Sequence, residues 1–552
     1  MQVKSSGFLW FVLAICFAPI VVQGQSRYTL RVTFADKRGT PYSIQQPEDF
    51  LSEKALLRRA IQRVPVTYED LPVSPVYTDS LKALGYISRN PSKWFNSVLV
   101  DVNYNHDISR ILDLGFVVKT DMVAERNVAI PTRNKFDLQV PFLKTDVIPD
   151  SSDYGYGYGQ IHLHNGEYLH QEGYTGKNVS VAVFDAGFYQ VNTLPAFEHL
   201  WENNSIMGWK DFVHAGNDFF DSHTHGMNVL SIIGGKMGRT FTGTAPDADY
   251  WLLRTEDESS EMLIEEDNWT RAAEFADSAG VDIINTSLGY SLFDYEYMDH
   301  TYEDMNGKTT RISQAATKAA ARGMLVVVSA GNEGNNPWYY ITAPADADSI
   351  ITVGAVNSNG EMAFFSSHGP TFDGRIKPTV VATGWNTYVQ YTDGSIGPGN
   401  GTSFSAPVIT GLAACLWQAH PEASNHELIQ AIIKSAHKAD NPDENYGFGI
   451  PDFQLAHELL ELNYNHKSSQ KISLKSDPVS GYPTISIQSK GPIGTFHVNI
   501  YSLNGQLLWS NNMSSTGVFE QITLNTFSTR KPGLYLINIR TSESEKTFKV
   551  FR

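Results

Sequence analysis

Val179-Ser180-Val181-Ala182-Val183-Phe184-Asp185-Ala186-Gly187 is an apolar run that stops on a carboxylate and a glycine. Two later stretches have the same form. Residues 281–285 lead into Thr286-Ser287-Leu288-Gly289, and residues 324–328 lead into Ser329-Ala330-Gly331-Asn332. A strand with one wet face alternates apolar and polar residues. Uninterrupted Val/Ile/Leu runs belong to strands covered on both faces, as in a parallel α/β sheet. Helices are expected over 270–279, 312–322, 403–419 and 426–436. In a doubly wound, mostly parallel sheet of this kind the chemistry lies beyond the carboxyl ends of the strands. The notable polar residues stand at those ends.

The flanks read differently. Residues 25–150 alternate short strands (28–34, 94–102, 116–123) with helices (48–63, 108–115), a small α+β pattern. Residues 141–159, with a Tyr/Gly run at the end, read as a linker or processing region. From about residue 470 onward, short strand candidates are separated by turn signals such as Asn504-Gly505 and Pro532-Gly533, which predicts a small all-β sandwich. Lys4, the apolar run 8–22 and the small residue Gly24 form a secretory signal peptide pattern. That run is short for a membrane span, which needs about 20 residues. The expected domains are therefore 1–24, 25–150, 151–462 and 463–552.

A formal net charge of -17 over 552 residues argues against nucleic acid as a partner, which would call for a basic stripe. Of the two cysteines, Cys16 leaves with the signal peptide, and Cys415 sits in an apolar helix-like stretch. No intramolecular disulfide is expected after processing, so a large core must do the stabilising.

Four segments can carry chemistry. Ser403, in Gly401-Thr402-Ser403-Phe404-Ser405-Ala406-Pro407, opens a helix after a glycine turn. Its hydroxyl is exposed there, and its N–H points at a developing oxyanion; the plainer reading is a helix-capping serine. Asp185 ends a buried strand, where it can orient an imidazole or serve as a cap. His225, in Asp221-Ser222-His223-Thr224-His225-Gly226, can act as general base. Asp221, His223 and His225 also make a plausible metal-ligand set. Asn332, between glycines, can donate an amide to an oxyanion or simply turn the chain.

Together, and in the order Asp, His, Ser, these segments resemble the subtilisin-like serine peptidases, the subtilase family. Residues 181–187 look like its catalytic-Asp box, 329–334 its oxyanion box and 401–407 its catalytic-Ser box. Residues 243–246 and 365–370 are further family-like pieces. The resemblance covers about 155–460. It departs at Ala186, where the family usually has Thr or Ser, and after His225-Gly226, where Met227-Asn228 replaces Thr-His. The following glycine and the register into Val229-Leu230-Ser231 select His225 over His223.

The resemblance implies a serine endopeptidase with Asp185, His225 and Ser403 as triad and Asn332 in the oxyanion hole. Protein or peptide substrates would lie along Ser287, Leu288 and Gly289. A first-residue pocket would be walled by 287–289, 329–331 and Thr342, small and uncharged, with an apolar preference. The acidic stretch 256–266 is either a solvated loop or a source of preference for basic neighbours. No cofactor is required for the chemistry, and a structural calcium ion is compatible with the family. The first module looks like an inhibitory propeptide. The C-terminal module resembles the sorting domain of type IX secretion cargo, in residues 501–505, 533–535 and the basic end 546–552, with the secretion machinery as partner. The rivals are a metal-dependent hydrolase, a peptide-binding pseudo-enzyme, and an esterase. An esterase would want glycine where Ser405 stands.

Overall fold

A computed structural model describes residues 28–103, 105–125, 153–214, 216, 218–467, 470–476, 482–489, 492–542 and 544–552. The signal-peptide segment and residues 126–152 lie outside the described residues. Near the N-terminus, β1 (Tyr28–Phe34), β2 (Ser88–Ser92), β3 (Ser97–Val102) and β4 (Val117–Glu125) form an antiparallel sheet in the order β2-β3-β1-β4. The helix expected over 48–63 is broken in two. Pro47–Asp49 makes one tight turn, and Ser52 restarts the chain as an N-cap by accepting from the Ala55 N–H at 3.1 Å. Helix α1 is therefore Glu53–Gln62.

The three apolar runs become the middle of a seven-stranded sheet in which every adjacent pair is parallel. Its strands are β5 (Ser180–Asp185), β6 (Ile206–Asp211), β7 (Asp249–Arg254), β8 (Ile283–Thr286), β9 (Leu325–Ser329), β10 (Ile351–Val356) and β11 (Val380–Thr383). The order is β11-β10-β9-β8-β5-β7-β6. Alternate residues of one strand enter different cores: Val181, Val183 and Val327 one, Ala182, Phe184 and Val328 the other. Both faces are thus dry, which is why the runs do not alternate in polarity. Helices α2 (His225–Gly234) and α5 (Thr402–Ala419) pack into the first core. Helices α3 (Ile264–Ala279) and α4 (Arg311–Ala321) pack into the second.

Cys415 is buried in α5 as a free thiol, and burial pushes its ionisation well up. The Tyr/Gly run at 154–159 is no linker. Tyr156 N–H donates to Thr240 O at 2.9 Å, and a short helix, Tyr158–His162, follows. The C-terminal module has a three-stranded and a four-stranded antiparallel sheet, which share a core containing Ile485, Ile487, Val498 and Ile537. Among the described residues, no helix is long and apolar enough to cross a membrane.

Candidate active site

Asp185 is the last residue of β5 and is fully buried. Its Oδ1 accepts from the Ala186 N–H and from His225 Nδ1, each at 2.8 Å. Its Oδ2 is buried and has no hydrogen-bond partner among the described residues. His225 opens α2, and the next residue has to be small. A Cβ on Gly226 would lie 2.7 Å from Asp185 Cβ and 2.4 Å from Gly187 O. The glycine lets the helix start close enough to the strand end for the imidazole to reach the carboxylate. His223 plays a different part, since its Nδ1 accepts from the His225 N–H at 3.2 Å. His225, the histidine that the glycine register selects, is the one whose Nδ1 meets Asp185 at 2.8 Å.

Ser403 is the second residue of α5, so its N–H has no intrahelical acceptor. Its Oγ lies 3.1 Å from Ser287 O, and Ser287 Oγ donates back to Ser403 O at 2.8 Å. The following residue, Phe404, stacks on the His225 ring with centroids 5.8 Å apart. The Asp185–His225 pair therefore borders the turn that carries Ser403. Asp185 and His225 are buried, while Ser403 and Asn332 are half-buried.

Asn332 follows β9, and Thr402 fixes its amide. Oδ1 accepts from the Thr402 N–H at 2.9 Å and from Thr402 Oγ1 at 3.0 Å. With the oxygen so engaged, Nδ2 is left to face the turn. A Cβ built on Gly401 would sit 3.7 Å from Asn332 Nδ2 and 3.7 Å from Ser403 N. The Asn332 amide and the Ser403 N–H thus lie on the same side of the Gly401 turn.

Ser287 and Leu288 are buried and Gly289 is exposed. The three predicted pocket segments meet at Thr342. A Cβ on Gly289 would reach Thr342 Oγ1 at 2.1 Å, and one on Gly331 at 3.0 Å. Thr342 Oγ1 itself is buried with no partner among the described residues.

The acidic stretch is not a solvated loop throughout. Glu256, Glu265, Glu266 and Asp267 are all buried, and only part of the intervening turn is exposed. Glu266 accepts from His300 Nε2 at 2.6 Å, and Asp267 is held by Arg31 and Arg311. The carboxylates of Glu256, Glu261 and Glu265 bring ligand oxygens within 4.8 Å of one another. Hard oxygen ligands of this sort suit calcium, although three fall short of the roughly six to eight it takes. Among the described residues, Asp221, His223 and His225 form no such group.

A buried parallel sheet with a Ser-bearing helix and an Asp–His pair beyond its carboxyl edge is the architecture of a subtilisin-like serine endopeptidase, a hydrolase. Residues 176–449 match the model of Peptidase S8, the subtilase family, and this domain belongs to that family. Residues 29–138 match the Peptidase S8 propeptide domain of Bacteroidota, and 477–551 a secretion system C-terminal sorting domain. The chain is similar to subtilisin E of Bacillus subtilis, 29% identical over 332 residues, covering 58% of this chain and 76% of the relative. It is also similar to serine protease AprX of the same species, 28% identical over 305 residues, covering 50% and 65%. Among solved structures, MycP1 with its N-terminal propeptide removed aligns with TM-score 0.42 and 26% identity, over 54% of this chain and 96% of that one.

Proposed function

We propose that the protein hydrolyses peptide bonds with Asp185, His225 and Ser403 as a triad and Asn332 as oxyanion donor. The observation that carries this reading is the buried 2.8 Å pairing of His225 Nδ1 with Asp185, beside the Ser403–Phe404 turn. With Nδ1 donating to the carboxylate, Nε2 is the basic nitrogen. In the reacting geometry the Ser403 hydroxyl gives up Ser287 O, which it meets at 3.1 Å, and donates to that nitrogen. His225 takes the proton as Oγ attacks the carbonyl carbon, and Asp185 stabilises the imidazolium. The Asn332 amide and the Ser403 N–H hold the oxyanion. His225 then passes the proton to the leaving amine, and water hydrolyses the acyl-enzyme.

Substrate lies as an added strand against Ser287, Leu288 and Gly289, held by main-chain hydrogen bonds. The small uncharged pocket around Thr342 takes an apolar side chain. No cofactor takes part in these steps, and calcium, if bound, has a structural role. The propeptide domain inhibits the site before processing. Export proceeds through the signal peptide and then the type IX machinery, to the cell surface or the medium. The test is casein hydrolysis by the processed protein. Activity should be abolished in Ser403→Ala and by a serine-directed fluorophosphonate, and initial rates should survive a chelator. Rates that collapse with the chelator but not with the fluorophosphonate contradict the reading.

A further inference from the structure

Two further helices follow α5: α6 (Asn425–Ser435) and α7 (Phe453–Lys467). Helix α7 is the last one before the C-terminal module, whose first strand is Gln470–Ser476. Its Phe453, Ala456 and Leu460 enter the core that α2 and α5 share. Three buried histidines, His164, His420 and His457, surround or belong to this helix.

The Phe453 N–H donates to His164 O at 2.9 Å, and the two rings meet edge to face with centroids 6.4 Å apart. His164 Nδ1 lies 3.1 Å from Pro451 O. A carbonyl only accepts, so Nδ1 carries the hydrogen of the neutral ring. Its Nε2 is buried and has no partner among the described residues. A proton added there is a buried cationic donor with nothing to receive it.

His420, the residue after α5, reaches α7 directly. Its Nε2 lies 3.0 Å from His457 Nδ1. One hydrogen fits between two nitrogens at that distance. One added proton is tolerated, because His457 can direct Nε2–H toward Glu461 Oε1, 3.7 Å away. A second is not, since both facing nitrogens would then be donors. The other neighbours offer little counter-charge. The Tyr168 and Tyr174 rings stand 5.8 and 5.9 Å from the His457 ring. Helix α5 has no Asp, Glu, Lys, Arg or His between 402 and 419. Helix α6 enters the core with Leu428 and Ile432; its His426 and Lys434 are exposed, and its Glu427 is engaged by Ser424. Glu458 and Glu461 are exposed, and Asp452, the carboxylate near His164, is half-buried and held by Asn165 at 2.7 Å.

Burial pushes the His164 and His420 rings down, each to about 4. Between that value and the ordinary imidazole value of about 6.5, the seated helix binds fewer protons than the released one. Its seat is therefore fully stable above the ordinary value and weakens as pH falls toward 4. Helix α7 takes no part in the strand pairings of the parallel sheet, so it can leave without breaking them.

We propose that α7 is an acid-sensitive mount for the C-terminal module: protons entering its buried histidine seat release the helix while the catalytic sheet stays folded. All three rings act on one helix, so their effects combine at one place.

The experiment is amide hydrogen exchange on the full chain carrying Ser403→Ala, which prevents self-digestion, from pH 7 to pH 4.5, with each rate corrected for the chemical exchange rate at that pH. Amides 454–462 should lose protection about fiftyfold between pH 6 and pH 5, relative to those of β8 and β9. His164→Asn with His420→Gln keeps a hydrogen-bonding nitrogen at each position and takes up no proton. That variant should match its parent at pH 7 and lose most of the pH dependence. Either substitution alone should remove about half of the slope, which keeps the test decisive if the double variant fails to fold. Protection of α7 that is independent of pH, or that falls no faster than that of β8 and β9, would overturn the proposal. So would an undiminished slope in the substituted chains.

Discussion

The two ends of the catalytic sheet are built from the same strands and do opposite things with polar groups. At the carboxyl end one carboxylate, Asp185, faces one imidazole, and its second oxygen has no partner among the described residues. Glycines bring backbone within reach, and the Asn332 amide and the Ser403 N–H both lie beside the Gly401 turn. At the amino end Asp277 is saturated by three cations, and the carbonyls before the strands each meet a donor. Polar groups left partly unsatisfied are what a reacting substrate can use, whereas saturated ones hold a partner still.

His225→Ala should produce the largest effect. Casein turnover is expected to fall by roughly a millionfold, because serine and base act as one unit. Retention of more than about a hundredth of the rate would mean that another group is the base, and the site end would lose its meaning.

Asp277→Ala breaks the comparison from the other side. It strands Arg58, Arg59 and Lys93, and should cost the unprocessed chain about 3–5 kcal/mol in a denaturant titration. The separated mature domain, which has lost those cations, should show much less change. Equal losses in both forms would mean that Asp277 serves the catalytic fold and not its contact with the propeptide domain.

Asn332→Ala should lower kcat by roughly 100- to 1000-fold and leave KM nearly unchanged, because its amide acts only as charge develops. An effect confined to KM would move Asn332 from the oxyanion to substrate binding.

The smallest expected effect tests the unsaturated oxygen directly. Ala186→Ser places a hydroxyl beside Asp185, whose Oδ2 has no partner among the described residues. One added hydrogen bond is worth about 1 kcal/mol, so kcat/KM should change by no more than about tenfold while thermal stability rises. Unchanged stability would show that the oxygen is already satisfied.

The strands that carry the site were legible because both their faces are dry. The runs at β5, β8 and β9 have no alternation to misread, and the candidate residues Asp185, Ser287 and Asn332 stand at or within three residues of their ends. Strand β6 was not legible. It is the sheet's edge, and Trp209, Lys210 and Asp211 reflect half-exposed surroundings. Single residues at the site carried sequence signals: the glycine after His225 is explained by its approach to Asp185, and Asn332 lies three residues beyond a strand end. The buried charge cluster around Asp277 carried none. Arg58, Arg59 and Asp277 look like ordinary surface charges on two helices, and the pairing of Arg58 with Asp277 spans 219 residues of chain. Only the tertiary fold reveals that they are buried together. The acidic stretch 256–266 failed for the same reason, since charge density in a sequence says nothing about which carboxylates are covered.

The most direct test of the account is to label the processed protein with an active-site fluorophosphonate and map the adduct by mass spectrometry. The account predicts stoichiometric modification at Ser403, abolished in His225→Ala and absent from the unprocessed chain. An adduct on another residue, or no adduct on correctly processed protein, would contradict it.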